Sequence, residues 1–152
     1  MDIVDTLRAD HGYLRSLGRR ILDELPRYVR ARPHAAASLR MLVAGYVDYE
    51  TRVHEPREAC LRAYLAAQDG GAPRAGEGES AHDWITIRDR LASAMSAAAR
   101  LELRHRLTAA LRDGAELMQS EENDLLAQAR CRLSAVERHA LALRAMAGRM
   151  PA

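Results

Sequence analysis

Hydrophobic positions recur at steps of three and four along most of the chain, the spacing of one face of an α-helix. Ile3, Leu7, His11, Leu14, Leu17, Ile21 and Leu25 form the first stripe, and Pro26 and Pro33 bracket its end. A second stripe begins near His34–Ser38 and carries Leu39, Val43, Val47, Glu50, His54, Glu58, Leu61 and Leu65. Pro56 lies inside it and is expected to bend the helix or remove one hydrogen bond. Asp69 to Glu79 (DGGAPRAGEGE) is Gly-rich and charged, so a flexible loop is predicted over 69–80. Ser80, with Asp83 three residues on, resembles a capping box opening a third helix through Trp84, Ile87, Leu91 and Met95 to about Ala99. The fourth stripe is Leu103, Leu107, Ala110, Gly114, Leu117, Glu121 and Leu125. Ser134 is placed to cap a last short helix, Ala135 to Met146, ended by Gly148 and Pro151.

No stretch alternates with period two, so strands are not expected. Four long amphipathic segments and a short fifth predict an all-α fold, an up-down-up-down four-helix bundle with an extra C-terminal helix. The bundle is expected over 1–147, with 148–152 a tail. A chain of 152 residues, 48% hydrophobic and 29% charged, suits one domain with one core. Its apolar runs are far shorter than the roughly 20 residues of a membrane span. The opening Met1-Asp2-Ile3-Val4-Asp5 carries two acids and does not resemble a secretory signal. Two cysteines, Cys60 and Cys131, form no disulfide framework and read as packed, reduced thiols of a cytoplasmic protein. Arginine supplies all 23 basic residues against 21 acids, for a net charge of +2. The acids are interspersed with the arginines, so no one-sided basic stripe for nucleic acid emerges.

Polar residues on the apolar stripes are the informative anomaly. His11, His54, Glu58 and Glu121 stand where Leu or Val is expected, and carboxylates are rarely buried unless paired or metal-bound. His54 and Glu58, four apart, share a helix face with about 5–6 Å between their Cβ atoms. Each has an ordinary reading of its own: His11 as a hydrogen-bonded core histidine, His54–Glu58 as a solvated pair, Glu121-Glu122 as an exposed face. Taken together, three helices each placing a His or carboxylate inward is how metal sites in bundle cores are built. There is no phosphate loop, no zinc-type cysteine spacing and no Ser-His-Asp or Cys-His arrangement.

These residues resemble the bacterial hemerythrin-like proteins, the HHE cation-binding family. LRADHGYLRSL is similar to the family's first helix, with His11 at its first metal-binding histidine. VDYETRVHEPREACL is similar to the second-helix motif, with His54 and Glu58 as the ligand pair. His82, in ESAHDW, matches the histidine that opens helix three, and Glu121, in LMQSEENDLLAQARCRLS, the carboxylate of helix four. The chain departs from the family at Leu117, where the fourth-helix histidine belongs, at Glu55, in place of a second paired histidine, and at Ala127, in place of a proline.

The resemblance implies a non-haem iron site, of two irons or one, with Mn or Zn as competitors. His11, His54 and His82 would be terminal ligands, Glu58 and Glu121 bridging ones, and Glu50 a further acid one turn before His54. The implied partner is dioxygen, peroxide or nitric oxide, or iron itself as a handled ion; no nucleic acid and no membrane is expected. Leu117 removes one imidazole, which leaves a more open iron, a single metal or a vestigial site, and weakens reversible oxygen carriage most. The competing class is a metal-free helical bundle acting as a protein-interaction module.

Overall fold

Helix accounts for every regular element among the described residues, which in the computed structural model are 1–70, 84–93 and 96–147. In chain order these are α1 (Ile3–Val29), α2 (Ala35–Tyr49), a π-helical turn (Glu50–His54), α3 (Glu55–Gln68), α4 (Trp84–Ala92), α5 (Ala97–Asn123), α6 (Leu125–Arg132) and α7 (Ala135–Ala147). The Ser80–Asp83 pair, His82, Met95, Gly148, Pro151 and residues 71–80 of the Gly-rich stretch lie outside the described residues. No described helix is long and apolar enough to cross a membrane.

The described residues form two compact units, one from Met1–Gly12, Glu50–Glu79 and Leu117–Ala152, the other from Tyr13–Tyr49 and Ser80–Glu116. In the first, Ile3, Val4 and Leu7 of α1 meet Leu61 and Leu65 of α3, Leu125, Leu126 and Ala129 of α6, and Leu141 and Ala142 of α7. Burial of such side chains contributes about 1.5–3 kcal/mol each and sets the frame on which polar residues are held. Asp2 caps α1, its Oδ1 accepting from the amides of Val4 (2.9 Å) and Asp5 (3.1 Å). Ser134 caps α7 reciprocally with Glu137: the Glu137 amide donates to Ser134 Oγ, and Glu137 Oε2 accepts from the Ser134 amide. Tyr64 Oη also donates to Glu137, tying α3 to α7.

In the second unit Tyr46, 2% exposed, lies against the Trp84 ring with centroids 5.3 Å apart. Gly114 permits this packing, because a Cβ there would stand 3.1 Å from Tyr46 Oη. The apolar stripe of α2 therefore passes through Tyr46, with Val47 only half-buried.

Several boundaries differ from the sequence expectation. Helix α1 continues through Pro26 to Val29, because Pro26 lies on the exposed face, where the carbonyl one turn back can be hydrated. Left-handed backbone at Ala31 (φ 50°) and His34 (φ 65°) then turns the chain into α2. The third helix ends at Ala92, not near Ala99; Ala97–Ala99 instead open α5, where Ser96 Oγ accepts from the Ala99 amide. The fourth helix is broken at Asp124 into α5 and α6, although the Asp124 amide still donates to the Ser120 carbonyl and its carbonyl still accepts from the Gln128 amide. Cys131 is exposed rather than packed, Cys60 is half-buried, and both are free thiols.

Candidate metal centre

The π-helical turn positions His54. Pro56 cannot donate a backbone hydrogen bond, and in a regular helix its ring meets the carbonyl four residues back, at Arg52. Arg52 lies within the wider turn Glu50–His54, which relieves that clash, and α3 restarts at Glu55 with Pro56 in its first turn. The bend expected at Pro56 takes this form. His54 closes the π-turn and is 5% exposed, facing inward from the wider backbone.

His11, 1% exposed on α1, is held at both ring nitrogens: Nδ1 lies 2.9 Å from Glu122 Oε1 and Nε2 lies 3.1 Å from Glu121 Oε2. His54 directs Nε2 to the same oxygen, Glu121 Oε2, at 3.6 Å, and to Glu58 Oε2 at 3.9 Å. The two imidazoles meet edge-to-face, centroids 4.9 Å apart. One ligand atom from each of His11, His54 and Glu121 lies within 4.8 Å of the others. Two ligands about 2.0–2.2 Å from a shared ion stand about 2.8–3.6 Å apart at octahedral to tetrahedral angles, so 3.1 and 3.6 Å match coordination spacing. The set of two imidazole nitrogens and carboxylate oxygens fits Fe, Mn or Zn.

Glu58 is half-buried, with Oε2 toward His54 and Oε1 accepting from Arg62 Nε. Arg62 Nη2 also stands 3.7 Å from Glu121 Oε1. Asp10, 2% exposed, binds Arg57 Nη1 at 2.5 Å and places Oδ2 4.0 Å from His54 Nδ1. That Nδ1 has no hydrogen-bond partner among the described residues.

Electrostatics follow from this packing. Burial alone would raise the Glu121 carboxyl, but hydrogen bonds from His11 and His54 and the charge on both rings draw it down to about 2. Burial pushes the His54 imidazole down, and the Glu121 hydrogen bond with the Glu121, Glu58 and Asp10 charges outweighs it, so its pKa rises. Glu58 is raised by burial and by the charge of Glu121, against the pull of Arg62. Glu50 is pushed up to about 7 by burial and by Glu55, Glu121 and Glu58.

Of the candidate ligands, His11, His54 and Glu121 come together with Glu58 beside His54, and His82 is outside the described residues. Glu55 is exposed. Leu117 is 41% exposed, and Met118 takes the buried position expected of it. The stripe of α5 runs Leu107, Leu111, Gly114, Met118, Glu121, a 3.6-residue repeat that passes Leu117 by about 100°. Leu117 instead walls a cleft of about 170 Å³ with Arg62, Ser120, Glu121, Asp124, Leu125 and Gln128. Sequence reading missed Asp10, Arg57, Arg62 and Glu122. Asp10 and Glu122 sit next to stripe residues, the one available signal, and the reach of the arginines has no periodic signature. Compared with protein-family models, curated proteins and solved structures, the chain matches none of them.

Proposed function

We propose that this chain is a metal-binding helical protein of the hemerythrin-like kind, with a non-haem iron site built on His11, His54, Glu121 and Glu58. The finer fold, an up-down-up-down four-helix bundle with a short extra C-terminal helix, and a cytoplasmic setting belong to the same proposal. One observation carries it: His11 Nε2 and His54 Nε2, from separate helical segments, converge on Glu121 Oε2 in a buried pocket.

In this reading the two imidazoles and Glu121 hold the ion, and Glu58 Oε2 adds a fourth ligand. Glu122 orients His11 by accepting from Nδ1–H, leaving the Nε2 lone pair for the ion. Asp10 stands behind His54, itself fixed by Arg57. When bound, iron supplies electrons and an open coordination position to dioxygen, peroxide or nitric oxide; Mn or Zn would fill the same donors. The cleft beside Glu121 gives a small molecule a route toward the site, and Glu50, with its pKa near 7, can hold or release a proton close to it.

The test is iron retention. Protein stripped with a chelator, reloaded with Fe(II) without oxygen and desalted is expected to keep iron and show ligand-dependent visible bands. Glu121→Gln and His11→Ala should each lower iron affinity at least tenfold in protein that remains helical. A wild-type chain that retains no Fe, Mn or Zn and stays folded would overturn the reading in favour of a metal-free interaction module.

A further inference from the structure

The two carboxylates of the site are each used on both sides. Glu121 turns Oε2 to the imidazoles and Oε1 to Arg62 Nη2 at 3.7 Å. Glu58 turns Oε2 to His54 Nε2 at 3.9 Å, and its Oε1 accepts from Arg62 Nε. A carboxylate that bridges two metal ions divides its oxygens in the same way, one to each ion. Here an imidazole pair stands on one side of the carboxylates and a guanidinium on the other. We infer that Arg62 is a built-in second cation, which takes the place of a second metal and limits the site to one divalent ion. This rests on the metal-binding reading above.

Charge balance supports the inference. Glu58, Glu121 and Glu122 bring three negative charges, Glu50 a fourth when ionised, and Arg62 one positive, so a single divalent ion offsets most or all of the cluster's charge, while Asp10 and Arg57 balance each other. A second divalent ion would leave net positive charge beside Arg62. On the Arg62 side the cleft is walled by Leu117, Ser120, Asp124, Leu125 and Gln128, so it brings no further imidazole to a second ion. Arginine suits this place better than lysine, because its planar fork can face two carboxylates at once and it does not lose its charge. Arg62 is 38% exposed along its side chain and lines the cleft together with Glu121.

The experiment is a stoichiometric titration of chelator-stripped protein with Co(II), read by absorption and by native mass spectrometry. Wild-type protein is expected to take up one ion per chain. Arg62→Gln removes the charge from a partly exposed position, and the first ion should bind about tenfold more tightly. The double variant Arg62→Gln, Leu117→His adds a donor on that side and should take up a second ion. Two ions bound by the wild type would overturn the inference while leaving the metal reading intact; no ion at all would overturn the metal reading itself. Arg62→Gln protein that binds one ion with unchanged affinity would also overturn it. Arg62→Lys, which keeps the charge, should stay at one ion and separates loss of charge from loss of fold.

Discussion

One buried ring of the centre, His11, is fixed by a carboxylate outside the ligand set, and this is where a single residue acts through another. Glu122 holds His11 at Nδ1, 2.9 Å away, while remaining half-buried itself. Glu122→Ala should leave the fold intact, since no apolar packing is lost, yet free the ring to rotate. Partners of this kind typically matter about 10–100-fold in metal affinity, and Co(II) titration of the variant should show a loss in that range. Unchanged affinity would mean that packing alone orients His11. On α3 the comparison is between neighbours. Glu58→Ala should weaken metal binding and Glu55→Ala should not, because Glu58 faces His54 while Glu55 is exposed. Equal losses in the two folded variants would remove Glu58 from the site. The rings and Glu121 were legible as polar residues on apolar stripes. Arg62 was not, because a long side chain delivers its charge well away from its own helical position.

Helices were readable at their middles and less so at their ends, for a physical reason. The middle of a helix is set by repeated burial, such as Leu103, Leu107 and Leu111, whereas an end depends on one or two local hydrogen bonds. Ser96 and the π-turn before Pro56 each decide a boundary locally in that way. The cap of α1 gives a direct test. Burial would raise the Asp2 carboxyl, but the Arg138 hydrogen bond, the Asp5 and Val4 amides and the Arg138 charge lower it below its ordinary 3.8. A carboxylate with a depressed folded-state pKa stabilises above the unfolded value and loses that contribution as pH falls through the folded one. Asp2→Ala should therefore cost about 1–2 kcal/mol at neutral pH in urea unfolding, with the gap to wild type closing below about pH 3.8. Asp2→Asn, which keeps a capping oxygen, should cost less. A gap that persists undiminished to pH 2 would show that the Asp2 charge contributes nothing.

On the scale of the whole chain, the candidate centre draws its ligands among the described residues, His11, His54, Glu58 and Glu121, from one compact unit. That unit is assembled from Met1–Gly12, Glu50–Glu79 and Leu117–Ala152, segments far apart in sequence. Five of its arginines are committed internally: Arg57 to Asp10, Arg62 to Glu58, Arg130 to Asp5, Arg132 to Asp69 and Arg138 to Asp2. An ion held by His11, His54 and Glu121 would pin the three segments together, a link available only in the folded state. At a free concentration one hundred times the Kd, such binding stabilises by about 2.7 kcal/mol. For a chain of this size that raises the melting temperature by roughly 5–10 °C. Amide exchange locates the effect. Slowing on addition of Co(II) should be greatest around residues 7–12, 54–62 and 117–123, and Tyr13–Tyr49, which supplies no ligand, is the internal reference. Stabilisation with the slowing confined to that reference segment, or no rise in melting temperature at saturating metal, would place the ion elsewhere or nowhere.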